Sequence, residues 1–95
     1  MDDILALIEA QKNELKKRFN DHALANNISL NNDSLVVDEL IDKLMVRKRK
    51  FGDLYCPCRF VTGDETKNKE IICPCIFHLE DINAKGSCLC GLFIN

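Results

Sequence analysis

The chain has 95 residues, of which 46% are hydrophobic and 29% are charged, and its formal net charge at pH 7 is -2. A chain of this length builds a modest core, to which a metal or a cross-link often adds stability, and the slightly acidic balance argues against a nucleic-acid binder. The first residues lack a basic segment followed by a long apolar one, and no apolar run is long enough to span a membrane. We therefore expect no signal peptide, no membrane span and a cytoplasmic location.

The first half of the chain contains no cysteine and predicts two amphipathic helices. In the first helix, apolar side chains recur every three or four residues until Asn26 and Asn27 end the pattern. We expect this apolar face to belong to the core; it comprises Ile4, Leu7, Ile8, Leu15, Phe19 and Ala23.

The second predicted helix is capped by Asp33 or Ser34 and stopped by Gly52 in a left-handed conformation. Its predicted core stripe comprises Val37, Leu40, Ile41, Leu44 and Met45. It ends in the basic run 47–50, Arg-Lys-Arg-Lys. The run is interpreted either as a solvated helix end that complements the helix dipole or as a docking patch for an acidic partner.

All six cysteines lie in the last 40 residues, in three Cys-x-Cys pairs at 56/58, 73/75 and 88/90. Proline between the two cysteines holds each of the first two pairs in an extended corner. The polar segment between them predicts a short helix starting at Gly63-Asp64. In a cytoplasmic protein such cysteines indicate a metal site or redox chemistry rather than a disulfide framework. We expect residues 1–95 to form a single domain, with a helical scaffold in 1–52 and a cysteine-rich region in 53–95.

Zinc fits this pattern poorly. Zinc ribbons and knuckles use Cys-x2-Cys corners, and six thiolates exceed the four that one zinc ion binds. Four ligands plus two redox cysteines would instead match an iron–sulfur cluster beside one dithiol. A zinc-binding interaction module and a simple iron–sulfur electron carrier remain as alternatives.

The series Tyr55-Cys-Pro-Cys-Arg-Phe60, then Cys73-Pro74-Cys75, then Cys88-Leu-Cys-Gly-Leu-Phe93, resembles the catalytic (beta) subunit of ferredoxin:thioredoxin reductase. The resemblance covers about residues 20–95. It implies a compact, mainly helical fold around a [4Fe–4S] cluster beside a redox-active disulfide. The implied partners are a ferredoxin-like electron donor and a thioredoxin-like disulfide acceptor, and the need for a second subunit stays open.

Carried over position by position, the resemblance divides the cysteines into two sets. The implied cluster ligands are Cys56, Cys73, Cys75 and Cys88. Cys58 and Cys90 would form the active disulfide, with Cys58 as the nucleophile and Cys90 as its partner on the cluster side. The implied activity is a ferredoxin-dependent reduction of protein disulfides, with electrons passing one at a time through the cluster.

The chain departs from the plant-type pattern at two places. Leu89 stands where those members carry the histidine that donates protons, and the gap between the second and third pairs is longer. His78 is the nearby substitute for the proton donor, although it could instead be a surface residue of a short helix. Arg59 is expected to make a charge-assisted structural contact, and Tyr55 and Phe60 are expected to pack around the cluster. No glycine-rich nucleotide fingerprint is present, so the electrons should come from a protein donor.

Overall fold

The computed structural model describes residues 2–95, with side chains from Asp3 onward. It is mainly helical, as predicted. Helix α1 spans Asp2–Ala25, α2 spans Ser34–Phe51, α3 spans Glu65–Glu70 and α4 spans His78–Lys85. Strands β1, Ser29–Leu30, and β2, Phe93–Ile94, pair antiparallel with Ser29 opposite Ile94 and Leu30 opposite Phe93. No helix within residues 2–95 has the length and apolar character needed to cross a bilayer.

Both predicted caps of α2 are present. The Asp33 side chain accepts a hydrogen bond from the Leu35 amide, and Gly52 at φ 92° donates its amide to the Lys48 carbonyl. Four residues of the predicted stripe are buried and Met45 packs against them; the buried ones are Val37, Leu40, Ile41 and Leu44. The interpretation of α2 as a core helix is confirmed.

The predicted core face of α1 is only half correct. Phe19 and Ala23 are buried and Leu15 packs against the core, whereas the side chains of the first two turns are exposed: Ile4, Leu7 and Ile8. The stripe has no apolar residue at position 11 or 12, and Lys12 forms an ion pair of 2.9 Å with Asp42 of α2 instead. The periodicity identified an apolar face, but nothing in the described structure covers its N-terminal part.

The C-terminal residues complete the core. Leu92 and Phe93 are among the most deeply buried side chains, and the Phe93 ring meets Phe19 edge-on with centroids 5.9 Å apart. Strand β2 therefore fastens the end of the chain against α1 and β1, which places the third cysteine pair beside the helical scaffold.

Candidate functional site

Main-chain hydrogen bonds bring the first two cysteine pairs together. The Cys56 amide donates to the Ile71 carbonyl, and the Cys73 amide donates to the Leu54 carbonyl, both at 2.8 Å. The segments just before each pair thus run side by side, although 14 residues separate the pairs in the sequence. The Cys73–Pro74 peptide bond is cis.

The third pair is held by β2 and by the segment after β1. The Cys88 amide donates to the Phe93 carbonyl at 3.0 Å, which closes a tight loop around the pair. Asn31 fixes this loop from outside, because its side-chain amide donates to the Gly91 carbonyl at 2.8 Å. Gly91 has φ 82°, a left-handed conformation that favours glycine.

The six thiols are free and fall into two groups by exposure. Four side chains are 3–5% exposed, namely Cys56, Cys73, Cys75 and Cys88. Cys58 is exposed and Cys90 is partly buried. These two sets coincide with those that the family resemblance implied.

The thiols of all three pairs interact. Cys75 and Cys90 lower the pKa of the Cys56 thiol by hydrogen bonding to it, and the Sγ atoms of Cys88 and Cys90 are 3.8 Å apart. Burial raises the pKa of Cys73, and the charges of Cys56 and Cys88 raise it further. Cys90 therefore lies against one thiol of the first pair and one of the third.

Main-chain groups stabilise negative charge on several of the buried sulfurs. The Phe93 amide donates to Cys88 Sγ at 3.3 Å. A hydrogen bond with Cys56 and burial raise the pKa of Cys75, and a backbone hydrogen bond from Phe77 opposes that rise. Burying a thiolate is costly unless donors or cations surround it. The main chain supplies such donors to the sulfurs of Cys88 and Cys75.

The donor set fits an iron–sulfur cluster better than one hard cation. The converging groups are thiols, which are the ligands that iron–sulfur clusters use, and amide donors to sulfur are a recognised feature of such sites.

A chain of side-chain hydrogen bonds connects α1 to the second cysteine pair. His78 Nδ1 lies 2.6 Å from the Cys75 carbonyl oxygen, and His78 Nε2 lies 2.9 Å from His22 Nε2. A carbonyl can only accept, so in the neutral pair His78 carries its proton on Nδ1 and His22 donates from Nε2. His22 Nδ1 then accepts from the Asn26 side-chain amide at 3.4 Å.

His78 is thus a buried residue of the site and not a surface residue of a short helix. Its Nδ1 and Nε2 contacts join it to a cysteine carbonyl and to His22; among the described residues, no hydrogen bond joins it to the thiol of Cys58 or Cys90. The sequence places His22 on the first helix and sets it apart from the cysteines, but the structure brings its ring against His78, 56 positions later in the chain.

Arg59 makes the charge-assisted contact that the sequence predicts. Its Nη2 donates to the Asp81 carboxylate at 3.1 Å, and its guanidinium lies 4.7 Å from the centroid of the Phe77 ring. The contact ties the first pair to α4. The expected packing of Phe60 around the site is wrong, because its side chain is 89% exposed, whereas Tyr55 is partly buried.

Among curated proteins, none matches the sequence. A family model described as ferredoxin thioredoxin reductase catalytic beta chain matches residues 7–95, which is nearly the whole chain and includes all three cysteine pairs. The chain therefore belongs to the family of ferredoxin thioredoxin reductase catalytic beta chains.

Proposed function

We propose that this chain reduces protein disulfides with a redox-active pair formed by Cys58 and Cys90, beside a [4Fe–4S] cluster. The proposed cluster ligands are Cys56, Cys73, Cys75 and Cys88. The observation that carries the proposal is the division of the six thiols into four that are buried together and two that are more accessible. Family membership supports the same assignment.

The bound cluster would supply electrons one at a time to the Cys58–Cys90 disulfide, which needs two for complete reduction. Cys90 is the partner on the cluster side, because its sulfur lies against those of Cys56 and Cys88. Cys58 is the substrate nucleophile, because it is the exposed member of the pair.

The exchange with substrate follows thiol chemistry. The Cys58 thiolate attacks one sulfur of the substrate disulfide, so a Cys58–substrate bond forms and the substrate S–S bond breaks. The departing substrate thiolate takes a proton. Cys90 then attacks Cys58 Sγ, which re-forms the Cys58–Cys90 disulfide and releases the second substrate thiol. Each turnover thus consumes two electrons and two protons.

The proposed partners are a ferredoxin-like donor, a thioredoxin-like acceptor and a second subunit that pairs with this catalytic chain. The interpretation of His78 as proton donor stays a prediction. Its position supports a more limited role, in which the ring holds the Cys75 carbonyl and so orients the second cysteine pair.

Single-cysteine variants test the proposal. Cys58→Ser and Cys90→Ser should both retain iron and both lose disulfide reduction. They should differ after incubation with an oxidised thioredoxin-like protein: Cys90→Ser keeps the nucleophile but cannot resolve the mixed disulfide, so mass spectrometry should detect a stable adduct. Cys58→Ser should form little adduct.

Two outcomes contradict the assignment. Adduct formation by Cys58→Ser alone would exchange the roles of the two cysteines. Loss of iron from either variant would mean that the ligand set is wrong. A colourless wild-type protein with bound zinc, or a coloured one without a reducible disulfide, would favour the zinc module or the simple electron carrier.

A further inference from the structure

The basic run 47–50 does not form one patch. Lys48 and Arg49 line a groove between α1 and α2 that contains no cysteine or cysteine neighbour. Arg47 and Lys50 line a second groove, formed by α2 and residues 57–61. Successive residues of a helix point in different directions, so four consecutive charges divide between two faces.

The second groove lies beside the exposed thiol. It has a volume of about 580 Å³, and its apolar lining comprises Val46, Phe51, Pro57, Phe60 and Val61. Pro57, which lines the groove, directly precedes Cys58 in the chain, so the groove ends next to the residue that carries the reactive sulfur. Phe60 is 89% exposed, which leaves a large aromatic face open to a partner.

The charge balance of this groove is positive. Its two acids are already paired: Glu39 with Lys43 at 3.5 Å, and Asp42 with Lys12 at 2.9 Å. Arg47 and Lys50 have no carboxylate partner among the residues that the structure describes. Their cationic groups lie 5.5 Å and 5.4 Å from the centroid of the Phe51 ring, and Arg47 also donates to the Pro57 carbonyl at 3.3 Å.

We propose that this groove, hereafter the Lys50 groove, binds an acidic segment that flanks the disulfide of the substrate protein. The inference rests on the proposed role of Cys58. Exchange requires a covalent bond between Cys58 Sγ and a substrate sulfur, so the surface beside Cys58 must be covered by substrate during turnover. Cations without a carboxylate partner, next to apolar side chains, are complementary to a segment that combines carboxylates with apolar side chains.

Binding is tested with a probe that cannot undergo disulfide exchange. The probe is a fluorescent peptide rich in glutamate and leucine, with serine in place of cysteine, and its counterpart carries glutamine in place of glutamate. The test variant is Lys43→Glu/Lys50→Glu, which leaves the Arg47 contact with Pro57 in place. The matched control is Lys48→Glu/Arg49→Glu, which changes the net charge equally in the other groove.

By fluorescence anisotropy at low salt, the test variant should bind the glutamate peptide about tenfold more weakly than wild type, as expected for two reversed surface charges. The loss should shrink at high salt, and the control should bind like wild type. An equal loss in the control, or none in the test variant, overturns the proposal. Tighter binding of the glutamine peptide by wild type overturns it as well.

Turnover separates this proposal from the proposed function. With dithionite as reductant, 2-hydroxyethyl disulfide reports on the dithiol alone, because it is small and uncharged. Failure of wild type to reduce it contradicts the proposed function and leaves the anisotropy result standing. Burial raises the pKa of Cys58, and the charge of Lys43 opposes that rise. Rates of the test variant on an acidic disulfide peptide are therefore divided by its rates on this neutral compound. A ratio that falls about tenfold supports the Lys50 groove as the substrate's binding surface, and an unchanged ratio contradicts it.

Discussion

Phe93→Ala should remove much of the free energy that holds the third cysteine pair in place. Phe93 is 1% exposed, and its ring meets Phe19 edge-on and also contacts the imidazoles of His22 and His78. Truncating a buried phenylalanine to alanine costs about 3–5 kcal/mol. That is a large part of the roughly 5–15 kcal/mol by which a typical domain is stable. The main-chain bonds of residue 93 to the Cys88 loop do not involve the side chain, so the effect comes from lost packing.

Phe60→Ala is the matched control, because it removes the same atoms from a side chain that is 89% exposed. Its effect should stay within about 0.5 kcal/mol. Thermal unfolding followed by far-UV circular dichroism under anaerobic conditions should show Phe93→Ala melting at least about 12 °C below wild type, since 1 kcal/mol shifts a domain of this size by about 4–8 °C. Iron content should fall with it. Equal melting temperatures for the two variants would refute the structural role assigned to β2.

Three further predictions concern the site. The proposed cluster ligands are Cys56, Cys73, Cys75 and Cys88. Replacing any one of them by serine should lower iron content and visible absorption and destabilise the chain, whereas Cys58→Ser should not. Intact iron in a ligand variant would remove that residue from the set. Burial and the neighbouring His78 lower the pKa of His22, so the unfolded chain binds more protons than the folded one as pH falls below about 6.5. The free energy of unfolding, measured by urea titration, should therefore decrease from about pH 7 to about pH 5.5, and this decrease should be smaller for His22→Gln. An identical pH dependence in the two proteins would contradict this account. Asp81→Asn should cost about 0.5–1 kcal/mol by weakening the partly exposed pair with Arg59, and adding high salt to wild type should reproduce part of that loss.

Local chemistry determined much of the scaffold. The caps of α2 were predictable because Asp33 and Gly52 act on their own helix within one turn. The short helix α3 was predictable for the same reason, since Asp64 caps it by accepting from the amides of Thr66 and Lys67. In each case the stabilising partner lies within a few residues in the sequence.

The apolar face of α1 shows the limit of such reasoning. Periodicity predicted one face from Ile4 to Ala23, but burial depends on whether another element lies opposite. Only the C-terminal half of α1 meets the core, where Phe19 contacts the ring of Phe93. A one-dimensional pattern specifies which side is apolar and not what covers it.

By itself, the sequence determined the pattern of the cysteines, six in three Cys-x-Cys pairs, and the family membership that this pattern indicates. Only the tertiary structure decided which thiols are buried together, that His22 meets His78, and that the basic run divides between two grooves. The physical reason is the same in each case. Exposure and contact depend on segments far apart in the chain, and they become defined when long-range packing sets those segments side by side.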